Sequence, residues 1–436
     1  MDTYIEAARE IPVAYTGDVI VAGAGPAGLI AAVSARRAGA DKVLLVEKHG
    51  CIGGMMTAGG VMNLRQFSDM AGHLAVRGVP YEFAKFIRSM GGTMQEPGEA
   101  DFEPEKYGHI RQEPEICKYA AQKFCEQNGV GILLHTMIVG AVTEHNKLNG
   151  IIVENKSGRQ LLKSKVIIDA TGDGDVIAYS GAAFEQESGD IVQPMTLTFV
   201  LANAAVGQWP VTLTAEQRAL HKKLYAEGKY PVKHDGFGLF AGFHKNEVYC
   251  NATRCPGDST NAWDLTAAEL ECRRQIFEIV RYFRKYMKGY ENCYVKNSGI
   301  QIGLRESRRL RGVYTLTKQD ITNYTEFEDS VMRNNYMFDM HSPGETTEHT
   351  PLERGKYYTI PYRCLIPEKT DGLLAAGRCI SVTREALSSS RVMVSCMALG
   401  QAAGTAAALA VRSGTEPRDI DVKELKRLLI DEGALV

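Results

Sequence analysis

Asp18-Val-Ile-Val-Ala-Gly-Ala-Gly-Pro-Ala-Gly28, closed downstream by Val43-Leu-Leu-Val-Glu47, decides the fold. It reads as a buried strand, a glycine turn, a helix of small residues over Pro26–Gly39, a second strand and a terminal acid. Gly23 permits the tight turn out of the strand. Gly25, without a Cβ, lets a pyrophosphate approach the backbone, and Gly28 lets helix and strand pack closely. The helix N-terminus then offers free N–H groups and the positive end of its dipole to phosphates. Glu47 stands 19 residues beyond Gly28, where an acid accepts hydrogen bonds from ribose hydroxyls. Either NAD or FAD meets this description. A tight turn that binds nothing accounts for the small residues but not for the acid.

Working outward, the chain of 436 residues has room for two or more domains, at about 150 residues each. A net charge of −2 and no basic stripe argue against a nucleic-acid partner. The densest basic cluster, Arg305, Arg308, Arg309 and Arg311, is local. Met1–Pro12 is polar and mixed in charge, unlike a signal peptide. Val394–Val411 is apolar but built of small residues with Gln401 inside, so a tightly packed helix is expected rather than a membrane span. The ten cysteines form no Cys-x-x-Cys, and the closest pair, Cys250 and Cys255, has no matching second pair. Neither a zinc nor an iron–sulfur site is expected, and the cysteines read as small buried hydrophobes in a reducing cytoplasm.

After the opening unit, Gly50-Cys-Ile-Gly-Gly-Met-Met-Thr-Ala-Gly-Gly60 suggests backbone packed against a flat ligand. Helices are predicted over Val79–Met90 and Glu113–Asn128, and a strand over Gly131–Leu134. A β-meander follows: Ile138–Glu144, Leu148–Asn155 and Gln160–Ile168, ending in Asp169-Ala-Thr-Gly-Asp-Gly-Asp175. From Gln193 to Tyr357 aromatic and charged residues increase, with a strand at Pro194–Ala202 and helices at Ala215–Glu227 and Thr266–Met287. A buried strand, Gly372–Gly377, and the helix Val392–Val411 then resume the first rhythm. The expected fold is α/β: a Rossmann-like dinucleotide-binding domain with a β-meander, residues 1–192 and 358–436, split by an α+β substrate or cap domain over 193–357.

Seven segments carry a resemblance. They are Gly23–Gly28 with Glu47-Lys48, Gly53–Gly60, Asp169–Asp175, Gly303-Leu-Arg-Glu-Ser-Arg-Arg309, Ile360-Pro-Tyr-Arg363, Gly377-Arg-Cys-Ile-Ser381 and Arg391–Gly404. Together they resemble the two-dinucleotide-binding-domain flavoproteins of glutathione-reductase type. Within these, the FAD-dependent oxidoreductase family that includes the flavoprotein component of heterodisulfide reductase is the nearest likeness. Fumarate-reductase-type flavoproteins are more distant. The resemblance implies FAD. It places Gly23, Gly25, Pro26, Ala27 and Gly28 on the pyrophosphate, Glu47 on the adenosine ribose and Lys48 along the adenine side, where a merely solvated lysine is an equal reading. Thr171, Gly172 and Asp173 make a second contact, with capping of the next helix as the competing role for Asp175. Gly377 and Arg378 make a third, by the ribityl chain. Gly54, Met55 and Thr57 run past the isoalloxazine. Arg391 and Met393 begin a helix aimed at the flavin pyrimidine edge, where a cation or helix dipole stabilises the charge of the reduced ring.

The substrate side is expected from the inserted span, with Arg305, Arg308, His341, His349, Tyr362 and Arg363 as candidates and His73 and His109 behind them. A helix-like Arg305–Arg311 would put Arg305, Arg308 and Arg309 on overlapping faces, set to clamp a carboxylate or phosphate. Ion pairing with Glu306 or Asp320 is the competing role. His341, expected on a loop, reads as a general base oriented by Asp339, so the reacting set is Arg391, His341 and Arg305. Cys51 reads as inert. The paired redox cysteines and cysteine-rich inserts of the disulfide-reducing relatives are absent, so that chemistry does not carry over. The expected activity is hydride transfer between a small organic substrate and flavin N5. The alternatives are a flavoprotein that passes electrons to a redox partner, a flavin monooxygenase (whose Asp-Gly loop is not found) and a non-catalytic FAD binder. The expected partner is a small molecule, without nucleic acid or membrane span; the electron acceptor or donor and any homo-oligomer stay open.

Overall fold

Val13–Ala22 forms strand β1, Pro26–Arg37 helix α1 and Val43–Val46 strand β2. The computed structural model describes residues 3–69, 72–94, 109–205, 214–230, 238–341 and 347–436. Strands β1 and β2 run parallel, Val19 opposite Val43 and Ala22 opposite Val46. Gly131–Leu133, β3, extends the sheet beyond β2. On the other side of β1 lies the last strand of the meander, β4 (Met137–Glu144), β5 (Lys147–Asn155) and β6 (Gly158–Asp169), with β6 parallel to β1. Val19–Ala22 are wholly buried and do not alternate, as befits a parallel strand covered on both faces.

The chain then leaves this sheet. Phe199–Ala202 (β7), Gly238–Ala241 (β8), Val248–Asn251 (β9) and Tyr294–Ser298 (β10) make an antiparallel sheet in the order β8-β9-β7-β10. Helix α2, Ala262–Tyr286, buries Cys272, Ile276, Ile279, Val280 and Phe283 at helical spacing. The second core draws on residues from Met195 to Ile302, whereas Leu310, Val331, Phe338 and Ile360 pack into the first. This separate core is therefore narrower than the 193–357 span in which composition changes.

Two local expectations are corrected. Arg305–Arg311 is not helical: Arg309–Leu310 pairs antiparallel with Phe184–Glu185. The arginines reach partners in different directions, Arg308 to Asp175 and Arg309 to Glu187, which one helical face does not allow. His341 lies on a strand, β11 (Phe338–His341), paired with β12 (Thr347–Thr350). The antiparallel ladder with the nearby β12 settles the conformation of β11.

The chain returns as β13, Leu373–Ala375, parallel to β6, and as helix α3, Met393–Ser413. Residues Val394–Ala410 of α3 are all buried, so its apolar run is core. Close approach to α1 explains its small residues: a Cβ on Gly404 would lie 2.1 Å from the Ala31 carbonyl oxygen, and one on Gly400 2.1 Å from that of Ala27. Gly404→Ala is expected to force the helices apart and cost about 1–3 kcal/mol, as overpacking does. Thermal denaturation checks this, and an unchanged midpoint would contradict so close a contact.

Candidate active site

The opening turn meets a cleft. Gly25 is the N-cap of α1 without a side-chain cap, so the first N–H groups of the helix have no side-chain acceptor. A Cβ at Gly25 would meet nothing within 4 Å, whereas one at Gly28 would lie 1.8 Å from the Gly23 carbonyl oxygen. Gly25 therefore borders open space and Gly28 a tight internal contact. Glu47, buried at the end of β2, accepts from the Ala24 N–H at 2.8 Å and the His49 N–H at 2.9 Å. Each carboxylate oxygen keeps a lone pair for a further donor.

The cleft encloses about 830 Å³ when the open solvent at its mouth is counted. Gly23, Gly25, Pro26, Ala27, Glu47, Lys48, Gly54, Met55, Thr171, Gly172, Asp173, Gly377, Arg378, Arg391 and Met393 line it. Gly28 lies beneath it, and Thr57 turns its buried hydroxyl to the Ile52 carbonyl at 2.8 Å. Ala170, Gln301, Leu304, Ala376 and Cys396 also line the cleft and were not anticipated. Ala170, Leu304 and Cys396 lie inside segments already singled out and Ala376 adjoins one; Gln301 belongs to no motif and arrives with the end of the insertion. The first turn of α3 also has no side-chain cap.

Asp169 anchors the second turn. Its carboxylate accepts from the Thr171 N–H (3.0 Å), the Thr171 hydroxyl (2.7 Å) and the Ile177 N–H (2.9 Å). Arg378 pairs with Asp173 at 2.6 Å, and Arg308 pairs with Asp175 at 2.9 Å. Asp175 follows the N-cap Gly174 and does not itself cap the helix. Burial pushes the Asp169 carboxyl up to about 6. A folded-state pKa above the unfolded one means that this group's contribution to stability falls as pH rises from about 4 to about 6. The fall is expected to be roughly 3 kcal/mol at about 1.4 kcal/mol per unit. Asp169→Asn is expected to lose that slope, read as the difference between the two proteins' urea midpoints from pH 4 to 7.

Against the cleft stands a second polar group. Arg391 donates to the Asp339 carbonyl at 2.8 Å and to Gln193 Oε1 at 3.3 Å, with an Asp339 carboxylate oxygen at 3.7 Å. Asp339 Oδ1 also lies 3.2 Å from His341 Nε2 and 2.9 Å from His349 Nε2. Arg254 is 3.3 Å from His341 Nδ1. A guanidinium only donates, so Nδ1 is the acceptor and Nε2–H donates to Asp339. Burial, then the Arg305 charge, push His341 down to about 3 despite Asp339. Its histidine and arginine neighbours hold Asp339 well below the usual carboxylate range against the opposing effect of burial. Arg305 is buried and donates to the Pro194 carbonyl and to Thr196 Oγ1.

Other candidates lie elsewhere. Tyr362 is buried with its hydroxyl on the Pro417 carbonyl at 2.8 Å, and Arg363 pairs with Asp329 at 2.9 Å. His73 pairs with Asp69 at 2.8 Å, and His109 begins a short strand paired to Asn63–Arg65. Glu306 and Asp320, the acids expected as alternative partners of the arginine cluster, are engaged by Arg384 and by the Thr317 cap respectively. Gln193 and Arg254 were missed, for no local pattern marks either.

FAD fits these residues. Open space at Gly25, two uncapped helix N-termini at Pro26 and Met393, spare lone pairs on Glu47 and a buried, unpartnered Nε on Arg391 are what a pyrophosphate, a ribose and a polar ring edge require. A parallel sheet entered by the dinucleotide turn, left for an insertion and completed by β13 and α3 defines a Rossmann-type flavoprotein. The chain belongs to the FAD dependent oxidoreductase family, whose model matches residues 18–429. No functionally curated protein matches it. Among solved structures it is similar to a geranylgeranyl bacteriochlorophyll reductase-like protein from Thermoplasma acidophilum (14% identity, TM-score 0.51, 96% of this chain and 84% of that one). It is also similar to p-nitrophenol 4-monooxygenase from Pseudomonas putida (12% identity, TM-score 0.51, the same coverages). At such identities the likeness is one of fold.

Proposed function

We propose that the protein moves a hydride between a small organic substrate and FAD, with Arg391, His341 and Arg305 on the substrate side. The observation that carries this reading is Arg391, which lines the cofactor cleft and also belongs to the Asp339–His341 cluster. Bound FAD supplies the hydride acceptor or donor. The side chains orient, polarise and manage the accompanying proton. Asp339 fixes the His341 tautomer through Nε2. His341 Nδ1 is held by Arg254, so uptake of a substrate proton there requires Arg254 to withdraw. At a pKa of about 3 the ring is neutral at neutral pH and a weak base, so proton uptake also requires the neighbouring positive charge to be offset.

The test is anaerobic. The purified yellow protein is titrated with small hydroxy acids and amino acids, and the chemically reduced protein with unsaturated acids, while the flavin absorption is followed. Bleaching by one donor class, or return of colour with the unsaturated acids, without NAD(P)H or oxygen, is the expected result. Turnover that demands both NAD(P)H and oxygen would move the reading to monooxygenation. A colourless protein that cannot be reconstituted with FAD would sink it.

A further inference from the structure

We propose that the polar cluster beside the cleft binds a carboxylate group of the substrate, held by Arg305 and Arg391. This rests on the hydride-transfer reading above. Arg305 is buried, and its Nη1 donates to neutral oxygens, the Pro194 carbonyl and Thr196 Oγ1. The adjacent acid, Glu306, faces away toward Gln193 (3.0 Å) and Arg384 (3.3 Å). Arg391 likewise donates to neutral oxygens of Gln193 and Asp339. The carboxylate nearest to it, Asp339, at 3.7 Å, is already shared with His341 and His349.

Arg305, Arg391 and Arg254 stand around the Asp339 carboxylate and leave an excess of positive charge in a largely dehydrated place, which is costly unless an anion completes it. The Arg305 guanidinium registers the shortage: burial, then the charges of Arg391 and Arg254, push its pKa down to about 9. A carboxylate lowers that excess and matches the planar guanidinium fork.

The FAD-loaded full chain is titrated with benzoate and propionate and, in parallel, with benzamide and propionamide at constant ionic strength. The flavin spectrum and the thermal midpoint are the readouts. Each acid is expected to bind at least about tenfold tighter than its amide, the ratio for one charge-assisted hydrogen bond. Arg305→Gln is expected to erase the ratio while FAD content stays the same. Should that variant not fold, the wild-type acid-to-amide ratio decides alone. Equal binding of acid and amide, no binding of either acid, or tighter binding of inorganic phosphate overturns the proposal. A protein that takes up no FAD fails the hydride-transfer reading instead; one that takes up FAD and does not discriminate fails only this one.

Discussion

Gly25→Ala protein is expected to fold as the wild type does and to purify without yellow colour. The backbone at Gly25 has a φ of −68°, which alanine adopts freely, and the added methyl meets no protein atom within 4 Å. What it fills is the space into which the cleft opens, beside the uncapped start of α1. FAD affinity is expected to fall tenfold or more, about 1.4 kcal/mol or greater, while the melting temperature of the cofactor-free protein stays put. Gly28→Ala is the contrasting variant. Its Cβ would lie 1.8 Å from the Gly23 carbonyl oxygen, so strand and helix must separate, at a cost of several kcal/mol. Flavin fluorescence and thermal melts of the cofactor-free proteins separate these outcomes. Equal loss of stability in both variants would mean that Gly25 serves packing and not a ligand.

Arg391→Met is expected to retain FAD and to lower its midpoint potential. Arg391 lines the cleft, and its side chain is 12% exposed. A charge-assisted hydrogen bond contributes about 1.5–3 kcal/mol, which for two electrons corresponds to about 30–60 mV. The same change removes one of the cations that depress His341. The ring's pKa is therefore expected to rise from about 3, with the new value followed by NMR. Arg391→Lys is expected to recover most of the potential, since charge is kept and only the fork geometry is lost. A potential unmoved by Arg391→Met would remove this arginine from the flavin environment.

The fold was legible where short-range rules govern it. The turn Gly23–Gly28, the meander between Met137 and Asp169 and the small-residue helix Met393–Ser413 each declare themselves through period, turn chemistry or glycine spacing. The segments that depart from expectation are those whose conformation depends on a pairing strand outside the segment. Arg305–Arg311 has helix-compatible residues, but its short strand is fixed by Phe184–Glu185. Phe338–His341 becomes a strand only because Thr347–Thr350 lies against it. The site shows the same division. Most of the cofactor wall follows from motifs, whereas Gln301 enters it from outside any motif.

By itself, the sequence determined that a dinucleotide is bound and that a late strand and helix return to the rhythm of its opening, as the pairing of Leu373–Ala375 with the first sheet bears out. Both follow from backbone requirements that only glycines, an acid and buried apolar runs satisfy at those spacings. Only the tertiary structure decided which charges meet. Arg254, Arg305, the strand neighbours Asp339 and His341, and Arg391 come from four separate stretches of chain, and the pKa shifts of Arg305, Asp339 and His341 arise from shared burial and mutual distance. Those quantities do not exist until the insertion has folded back onto the cofactor cleft, and so no reading of local pattern supplies them.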